Sequence, residues 1–239
     1  MSSSRSPRVN PLRLAYHWMK LRLRSGGQSD ESQILRRLAG PTRTFVEFGF
    51  HPTEFNCIGF RATHDGLLID GNPRTVALGQ LLLPRRIKVL QRFLTLDNLD
   101  DVESAFPKIG ILSIDVDGND FWFLERLLPA KPEVICVEYN ASFGHEPVTV
   151  PYDPAFDRHK KHASGWYHGA SLSALARLCG RFGYGLAAVS DAGGNAFFTT
   201  SGTLDPQRAY RESRLRNEWS RTSGAQQWEA VRHLPLVSV

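Results

Sequence analysis

The strongest indication of architecture in this chain of 239 residues is the segment Ile109-Gly-Ile-Leu-Ser-Ile-Asp-Val-Asp-Gly-Asn-Asp-Phe121. Its first half is β-branched and apolar, which is typical of a buried strand, and the residues after it predict a helix over 121–128. Four acidic or amide side chains stand between the two elements: Asp115, Asp117, Asn119 and Asp120. Ligands bind at the carboxyl ends of strands in open α/β sheets, so this strand end is the first candidate for an active centre.

A structural interpretation competes for part of this segment. Asn119 or Asp120 can cap the following helix, and Gly118 can supply a turn. Asp115 and Asp117 come earlier, and neighbouring carboxylates oppose each other's ionisation unless a cation, a proton or a hydrogen-bond donor offsets them. We therefore predict capping by Asn119 or Asp120 and catalytic roles for Asp115 and Asp117.

Short apolar segments alternate with helical patterns along the chain, which predicts an α/β fold with a mostly parallel, doubly wound sheet. The predicted strands cover residues 44–48, 67–69, 86–90, 109–115 and 133–138, with a closing hairpin at 185–189 and 196–199. The predicted helices cover residues 32–38, 121–128 and 171–182, and Ser171 is the predicted cap of the last one. Residues 140–168 lack an apolar period, so we interpret them as a lid or substrate loop.

Composition favours one domain of ordinary size in a soluble, cytoplasmic protein. The apolar fraction of 41% is sufficient for a core. Cys57, Cys136 and Cys179 are odd in number and have no C-x-x-C spacing, which argues against a disulfide framework or a zinc site. No apolar run approaches the roughly 20 residues of a transmembrane span, and the first residues contain no signal-peptide core.

The net charge of +5 is concentrated near the N-terminus. Residues 1–43 contain nine Lys and Arg against two acidic residues, whereas the remainder contains 20 against 22. We expect a basic arm over residues 1–31, a catalytic domain over 32–203 and an Arg-rich extension packed on the domain over 204–239. A nucleic-acid partner is not expected, because the chain after residue 43 is mildly acidic and contains no recognisable reader motif.

Residues 11–24 of the arm have the pattern of a basic amphipathic helix. Four basic side chains recur at helical spacing: Arg13, His17, Lys20 and Arg24. Four apolar side chains repeat this spacing: Leu12, Tyr16, Met19 and Leu23. Two interpretations stay open: the basic face contacts an anionic membrane or an acidic partner, or the apolar stripe packs on the domain and leaves the basic face in solvent.

The first two predicted strands end on groups that suit a nucleotide-like ligand. Glu47 precedes Gly49 at the turn after the first strand, where a glycine allows close approach of the backbone to a ligand. Asp70 ends the second strand 23 residues after Glu47, near the roughly 20-residue spacing at which a carboxylate reaches ribose hydroxyls. Acids at strand ends are common in α/β proteins, so a structural role for each stays open.

Six ordered segments between residues 44 and 200 form a more specific pattern: Val46-Glu-Phe-Gly49 with Glu54 and Asn56, Leu68-Ile-Asp-Gly-Asn72, Leu94-Thr-Leu-Asp-Asn-Leu99, Leu112-Ser-Ile-Asp-Val-Asp-Gly-Asn-Asp-Phe-Trp122, Val137-Glu-Tyr-Asn140 and Tyr167-His-Gly-Ala-Ser-Leu172. Together they resemble the FkbM-type branch of S-adenosylmethionine-dependent methyltransferases. The resemblance implies a Rossmann-like, seven-stranded methyltransferase fold. It also implies methylation of a hydroxyl of a sugar, glycoconjugate or small natural product.

The resemblance implies S-adenosylmethionine as cofactor and assigns residues to it. The cofactor loop would contain Glu47, Gly49, Glu54 and Asn56, the ribose-binding acid would be Asp70, and the segment beside the adenine would contain Asp97 and Asn98. The chain departs from the family at His51-Pro52-Thr53, where further glycines are usual and where Pro and a β-branched residue restrict the backbone. A binding protein that has lost turnover is therefore an alternative; a nicotinamide-dependent oxidoreductase is disfavoured, because G-x-G-x-x-G is missing.

Glu138 ends the fifth predicted strand, where sheet geometry places it beside Asp115 and Asp117. Such a set of oxygen ligands suits Mg²⁺, and some related sugar methyltransferases are metal-dependent. The alternative is a buried contact of Glu138 with Arg126, Lys131 or a backbone donor.

Four histidines lie in or beside the long loop: His145, His159, His162 and His168. An imidazole near the acceptor hydroxyl is suited to remove its proton during methyl transfer. We predict His168 as this base, because the helix that starts near Ser171 would hold it in place. A purely structural role for each of the four histidines stays open.

Overall fold

The computed structural model describes residues 10–23 and 29–239 and contains the predicted seven-stranded sheet. Its strands are β1 (Thr44–Phe48), β2 (Asp65–Asp70), β3 (Ile87–Gln91), β4 (Ile111–Ile114), β5 (Val134–Glu138), β7 (Gly185–Val189) and β8 (Asn195–Thr199), and a second sheet pairs β6 (Val148–Thr149) with β9 (Val237–Ser238). The order β3-β2-β1-β4-β5-β8-β7 is parallel as far as β5, and β8 and β7 are antiparallel. The predicted α/β, Rossmann-like and mostly parallel fold is confirmed.

Ten α-helices accompany these strands in the described part of the chain. They are α1 (Pro11–Leu23), α2 (Glu31–Leu38), α3 (Pro73–Leu82), α4 (Asp100–Glu103), α5 (Asp120–Leu127), α6 (Arg158–Lys161), α7 (Leu172–Arg181), α8 (Pro206–Ala209), α9 (Arg214–Ser220) and α10 (Gly224–Val231). The loop over residues 140–168 thus contains only β6, α6 and a short 3₁₀ turn at 141–143.

The sheet is buried on both faces because successive side chains of its apolar strands point in opposite directions. Val46 and Phe48 of β1 pack in one layer with α5 and α7, whereas Phe45 packs in the other with α2 and α3. The doubly wound arrangement therefore follows from continuous apolar strands rather than from alternating ones.

Strand β1 lies between β2 and β4. The chain places β2 and β3 on one side of β1 and then returns to place β4 and β5 on the other side. The Gly49 amide donates to the Ile69 carbonyl at 3.1 Å, and the Asp115 amide donates to the Phe48 carbonyl at 3.2 Å. These bonds hold the ends of three neighbouring strands together. Such a switch point is where open α/β sheets form a crevice for ligands.

The turn between β4 and α5 differs from the capping prediction. Asn119 makes no capping bond and instead donates its side-chain amide to the Asp153 carbonyl at 2.8 Å. Asp120 is buried and accepts from the backbone amides of Val116 and Gly118, both at 2.9 Å. Asp120 therefore holds the turn that presents the preceding carboxylates, while the predicted capping of α7 by Ser171 is confirmed.

Helix α1 presents the predicted apolar stripe to solvent. Leu12, Tyr16 and Met19 are 82%, 55% and 52% exposed, whereas Leu21 is buried in the core. The interpretation in which this stripe packs on the domain is therefore wrong. The side chains of Arg13 and Leu23, and the whole of Arg24, lie outside the described residues.

Another side of α1 contacts the loop that follows β1. Lys20 forms an ion pair with Glu54 at 2.6 Å, and the rings of His17 and His51 lie 5.7 Å apart. Two of the basic side chains predicted to face a membrane thus face the domain, because carboxylate and imidazole partners are available there. Within residues 10–23 and 29–239, no helix combines the length and apolar character that a membrane span requires.

Candidate active site

Two cavities adjoin at the carboxyl ends of the parallel strands. The first has a volume of about 320 Å³ and lies over the ends of β1, β2 and β4; the second has about 400 Å³ and extends towards β5. Both volumes fall within the range of roughly 300–1,000 Å³ that is usual for small-molecule sites. Four residues line both cavities: Gly49, Asp70, Asp115 and Asp117.

Gly49 is required by the geometry of this junction. Its φ of +73° lies in the left-handed region, and a Cβ atom at this position would collide with the backbone carbonyl of Asp115. A side chain here would force the ends of β1 and β4 apart, so the packing of these two strands requires glycine at this position.

Asp70 lies at the mouth of the first cavity, at the end of β2. One carboxylate oxygen accepts from the Asn72 amide at 2.6 Å, and burial raises the pKa of Asp70 although this bond lowers it. Phe93 lines the same cavity with 61% of its surface exposed. Its ring offers a flat apolar surface, and sequence reasoning missed it because a single aromatic residue after a strand carries no distinctive pattern.

Asp97 and Asn98 do not line either cavity. Asn98 forms a capping box with Thr95, and Asp97 is exposed on the same 3₁₀ turn. Strand β3 ends at Gln91, so residues 93 and 94, rather than 97 and 98, reach the cavity. The lining of the two cavities therefore does not support the prediction that Asp97 and Asn98 lie beside an adenine.

Glu47 lines the second cavity, but its carboxylate is hydrogen-bonded to the protein backbone. Its carboxylate accepts from the backbone amides of Asn56 at 2.7 Å and of Cys57 at 2.8 Å, and the residue is only 2% exposed. Burial raises the pKa of Glu47 to about 7 against the lowering effect of these amides. Glu47 therefore shapes the loop, while the Asn56 side chain donates to the Ser113 hydroxyl at 3.1 Å.

The His51-Pro52-Thr53 segment is held by a contact between two of its own side chains. Thr53 is fully buried, and its hydroxyl lies 3.1 Å from Nδ1 of His51, which lines the second cavity. Burial lowers the pKa of His51. The segment is thus a defined wall of the second cavity, beside Glu54.

Asp115 is one of three acidic residues that line both cavities. Burial raises its pKa well above the usual carboxyl range, and the charges of Glu138, Asp120, Asp117 and Glu47 raise it further. A carboxylate with a raised pKa is a better proton acceptor near neutral pH than an ordinary one.

Asp117 is placed differently, although it lines the same cavities. It is 58% exposed, has a φ of +57°, and forms an ion pair with the guanidinium group of Arg158. Arg158 comes from α6 and also donates to the Gly165 carbonyl at 3.1 Å. The long loop therefore contributes the guanidinium group of Arg158 to the second cavity. The sequence of the loop, which has no apolar period, gave no indication of this contact.

Glu138 is flanked by cationic and imidazole groups rather than by Arg126 or Lys131. Its carboxylate approaches Nε2 of His168 at 3.9 Å. Burial acts to raise the pKa of Glu138, but His168, Arg216 and Arg158 together lower it to about 2. Arg126 contacts Glu103 instead, so the predicted alternative partners of Glu138 were wrong.

His168 does not line either cavity. It is 1% exposed, its Nε2 lies 3.3 Å from the Arg216 guanidinium, and burial lowers its pKa. The structure therefore contradicts the prediction that His168 touches the acceptor hydroxyl as a base, because its ring is enclosed behind Glu138. It is placed to position that carboxylate.

Arg216 connects the C-terminal extension to this site. It comes from α9 and donates to the Asn140 side chain at 2.7 Å and to the Ser142 hydroxyl at 2.9 Å. The sequence indicated an Arg-rich extension, but only the fold distinguishes Arg216 from the neighbouring arginines.

The acidic groups of this site are the candidates for holding a divalent metal. Ligand atoms of Asp117, Glu138 and His168 come within 4.8 Å of one another, so His168 takes the place that was predicted for Asp115. The charges of the carboxylates are already offset by Arg158 and Arg216. Mg²⁺ prefers oxygen ligands and would meet an imidazole and two guanidinium groups here, so the site does not fit it.

Comparisons with known proteins concern the fold. The chain is similar to a TehB-like SAM-dependent methyltransferase from Corynebacterium glutamicum, at 13% identity and a TM-score of 0.45, over 80% of this chain and 99% of that one. It is similar to magnesium protoporphyrin IX methyltransferase from Synechocystis with bound SAH, at 10% identity and a TM-score of 0.42, over 80% and 87%. It is also similar to the plantazolicin methyltransferase in complex with SAH, at 13% identity and a TM-score of 0.43, over 95% and 88%.

No protein-family model and no curated protein sequence matches the chain. Because a shared fold does not define an activity, the function is inferred from this chain's own site.

Proposed function

We propose that the protein is an S-adenosylmethionine-dependent methyltransferase that methylates a hydroxyl of a sugar, glycoconjugate or small natural product. The observation that carries this proposal is the convergence of Gly49, Asp70 and Asp115 on two adjoining cavities at the switch point of the sheet. One cavity suits the cofactor and the other suits an acceptor. The resemblance of the sequence to FkbM-type methyltransferases supports the same reaction.

The residues of the first cavity fit an S-adenosyl cofactor. Asp70 would hold the ribose hydroxyls, the face of Phe93 would contact the adenine, and the Gly49 turn admits the backbone close to the ligand. When bound, the cofactor would supply an electrophilic methyl group for transfer to the acceptor.

Asp115 is the residue that we assign as general base. It lines both cavities, and its raised pKa suits it to take the proton of an acceptor hydroxyl as the oxygen–methyl bond forms. Arg158 and Glu138 would orient the acceptor from the far side of the second cavity, since both line it.

A second candidate function is a binding protein on the same fold. The observation in its favour is the wall formed by His51-Pro52-Thr53, in which Thr53 is fully buried where flexible glycines would be expected. Ligand binding without turnover over a broad acceptor panel would favour this candidate.

Asp70→Ala should weaken the binding of S-adenosylmethionine and its demethylated product by roughly 1–3 kcal/mol, because hydrogen bonds to a charged group are lost. Isothermal titration calorimetry measures this change. Asp97→Ala is the matched control, since Asp97 also lies near the sheet edge but lines neither cavity. The dissociation constant of this variant for S-adenosylmethionine should stay at the wild-type value. Equal effects of the two substitutions, or no binding by the wild type, would contradict the proposed cofactor site.

Removal of divalent metal should leave methyl transfer unchanged, because Arg158 and Arg216 already offset the acidic groups. The rate is measured after dialysis against EDTA and again after addition of Mg²⁺. A loss that Mg²⁺ restores would show that the guanidinium groups do not exclude a metal.

A further inference from the structure

The outward face of α1 is an apolar surface in an otherwise basic segment. Leu12, Tyr16 and Met19 follow the i, i+4, i+7 spacing of one helix face, and each is more than half exposed. The helix is fixed to the domain from its other side by the buried Leu21 and by the Lys20–Glu54 ion pair. The three side chains, called here the outer stripe, are therefore held pointing away from the protein.

The charge of the surrounding sequence restricts what can cover the outer stripe. Residues 1–28 contain six basic residues and no acidic one. A second copy packed stripe to stripe would bring two such segments together, and like charges facing each other oppose association. An anionic lipid surface offers the opposite sign of charge together with an apolar layer for the stripe.

We propose that α1 attaches the protein to anionic membrane surfaces by inserting the outer stripe into the interface. This differs from docking through the basic face, since His17 and Lys20 face the domain. The tyrosine suits the boundary between headgroups and acyl chains, where amphipathic aromatic rings are enriched. Binding of vesicles needs neither cofactor nor acceptor, so this proposal does not depend on methyl transfer.

The test uses the full chain and sedimentation with vesicles of phosphatidylcholine containing phosphatidylglycerol, compared with phosphatidylcholine alone. The wild type should bind the anionic vesicles more strongly. The double variant Leu12→Gln/Met19→Gln should bind them at least roughly ten-fold more weakly, because the apolar contribution to interfacial binding is removed. Both side chains are exposed, so circular dichroism and the melting temperature should be unchanged.

Trp219→Gln is the matched control, because Trp219 is 85% exposed on α9 and lies outside the outer stripe. It should bind vesicles as the wild type does. The proposal is overturned if the double variant binds like the wild type, or if Trp219→Gln loses as much binding. It is also overturned if analytical ultracentrifugation shows a wild-type dimer that the double variant dissociates while vesicles bind neither protein.

Discussion

Asp115→Asn should lower the rate of methyl transfer by a factor of roughly 10²–10⁴, the usual contribution of a positioned general base. The substitution keeps the shape of the side chain but removes its ability to accept the hydroxyl proton. Transfer of a labelled methyl group to a panel of hydroxyl-bearing acceptors measures the effect. Cofactor binding, measured by calorimetry, should stay close to that of the wild type, because Asp70 and Phe93 are untouched.

Asp117→Asn is the matched control for this substitution. Asp117 lines the same cavities, but its charge is engaged by Arg158 and its side chain is 58% exposed. We therefore expect a much smaller loss of rate than at Asp115. Comparable losses at both positions would show that Asp117 shares the role of base, as the sequence alone suggested.

The pH dependence supplies an independent check on Asp115. Its carboxyl group must be ionised to accept a proton, and its pKa lies well above the usual range because of burial and the surrounding acids. The wild-type kcat/KM should therefore rise with pH through this raised pKa and then level off. A residual rate in Asp115→Asn that keeps the same rise would assign the base to another group.

Glu47→Ala should lower the free energy of unfolding by about 2–6 kcal/mol, because the buried amides of Asn56 and Cys57 both lose their acceptor. For a chain of this length the melting temperature should fall by roughly 5–20 °C. Thermal unfolding measures this change. The control is Glu54→Ala, which breaks a part-exposed ion pair with Lys20 and should cost no more than about 1 kcal/mol.

The stability difference between wild type and Glu47→Ala should itself depend on pH. The folded-state pKa of Glu47 is raised from 4.5 to about 7, so its neutral form is favoured in the folded protein. Protonation of Glu47 therefore contributes to the free energy of unfolding of the wild type. This contribution is complete below pH 4.5 and is lost as the pH rises towards 7. The difference in unfolding free energy between the wild type and Glu47→Ala should therefore become smaller between pH 4.5 and 7. A difference that becomes larger would contradict the conclusion that burial raises the pKa of Glu47.

The sequence was sufficient to predict where the strands of the seven-stranded sheet lie along the chain, because apolar, β-branched segments indicate burial directly. The range of β1, the hairpin of β7 and β8, and the cap at Ser171 follow from local patterns and from turn chemistry. Because the carboxyl ends of parallel strands share an edge, the same reasoning placed Glu138 beside Asp115 and Asp117. Local pattern therefore selected Gly49, Asp70 and Asp115 as candidates, and all three line the cavities at that edge.

Only the tertiary structure decided what each charged group contacts. Asp120 stabilises a turn, Glu47 accepts hydrogen bonds from two backbone amides, and His168 is enclosed behind Glu138. The sequence around each of these residues would look the same if the side chain faced a ligand. Arg158 and Arg216 come from segments that lie far along the chain from Asp115, so local periodicity contains no information on their approach.

The orientation of α1 shows the same limit for surfaces. An amphipathic pattern predicts that a helix has two faces, but it does not determine which face meets the domain. Here the partners Glu54 and His51 attract the basic side, and the apolar stripe is left outside. Periodicity is a property of one segment, whereas the choice of face depends on the free energy of contacts with residues distant in sequence.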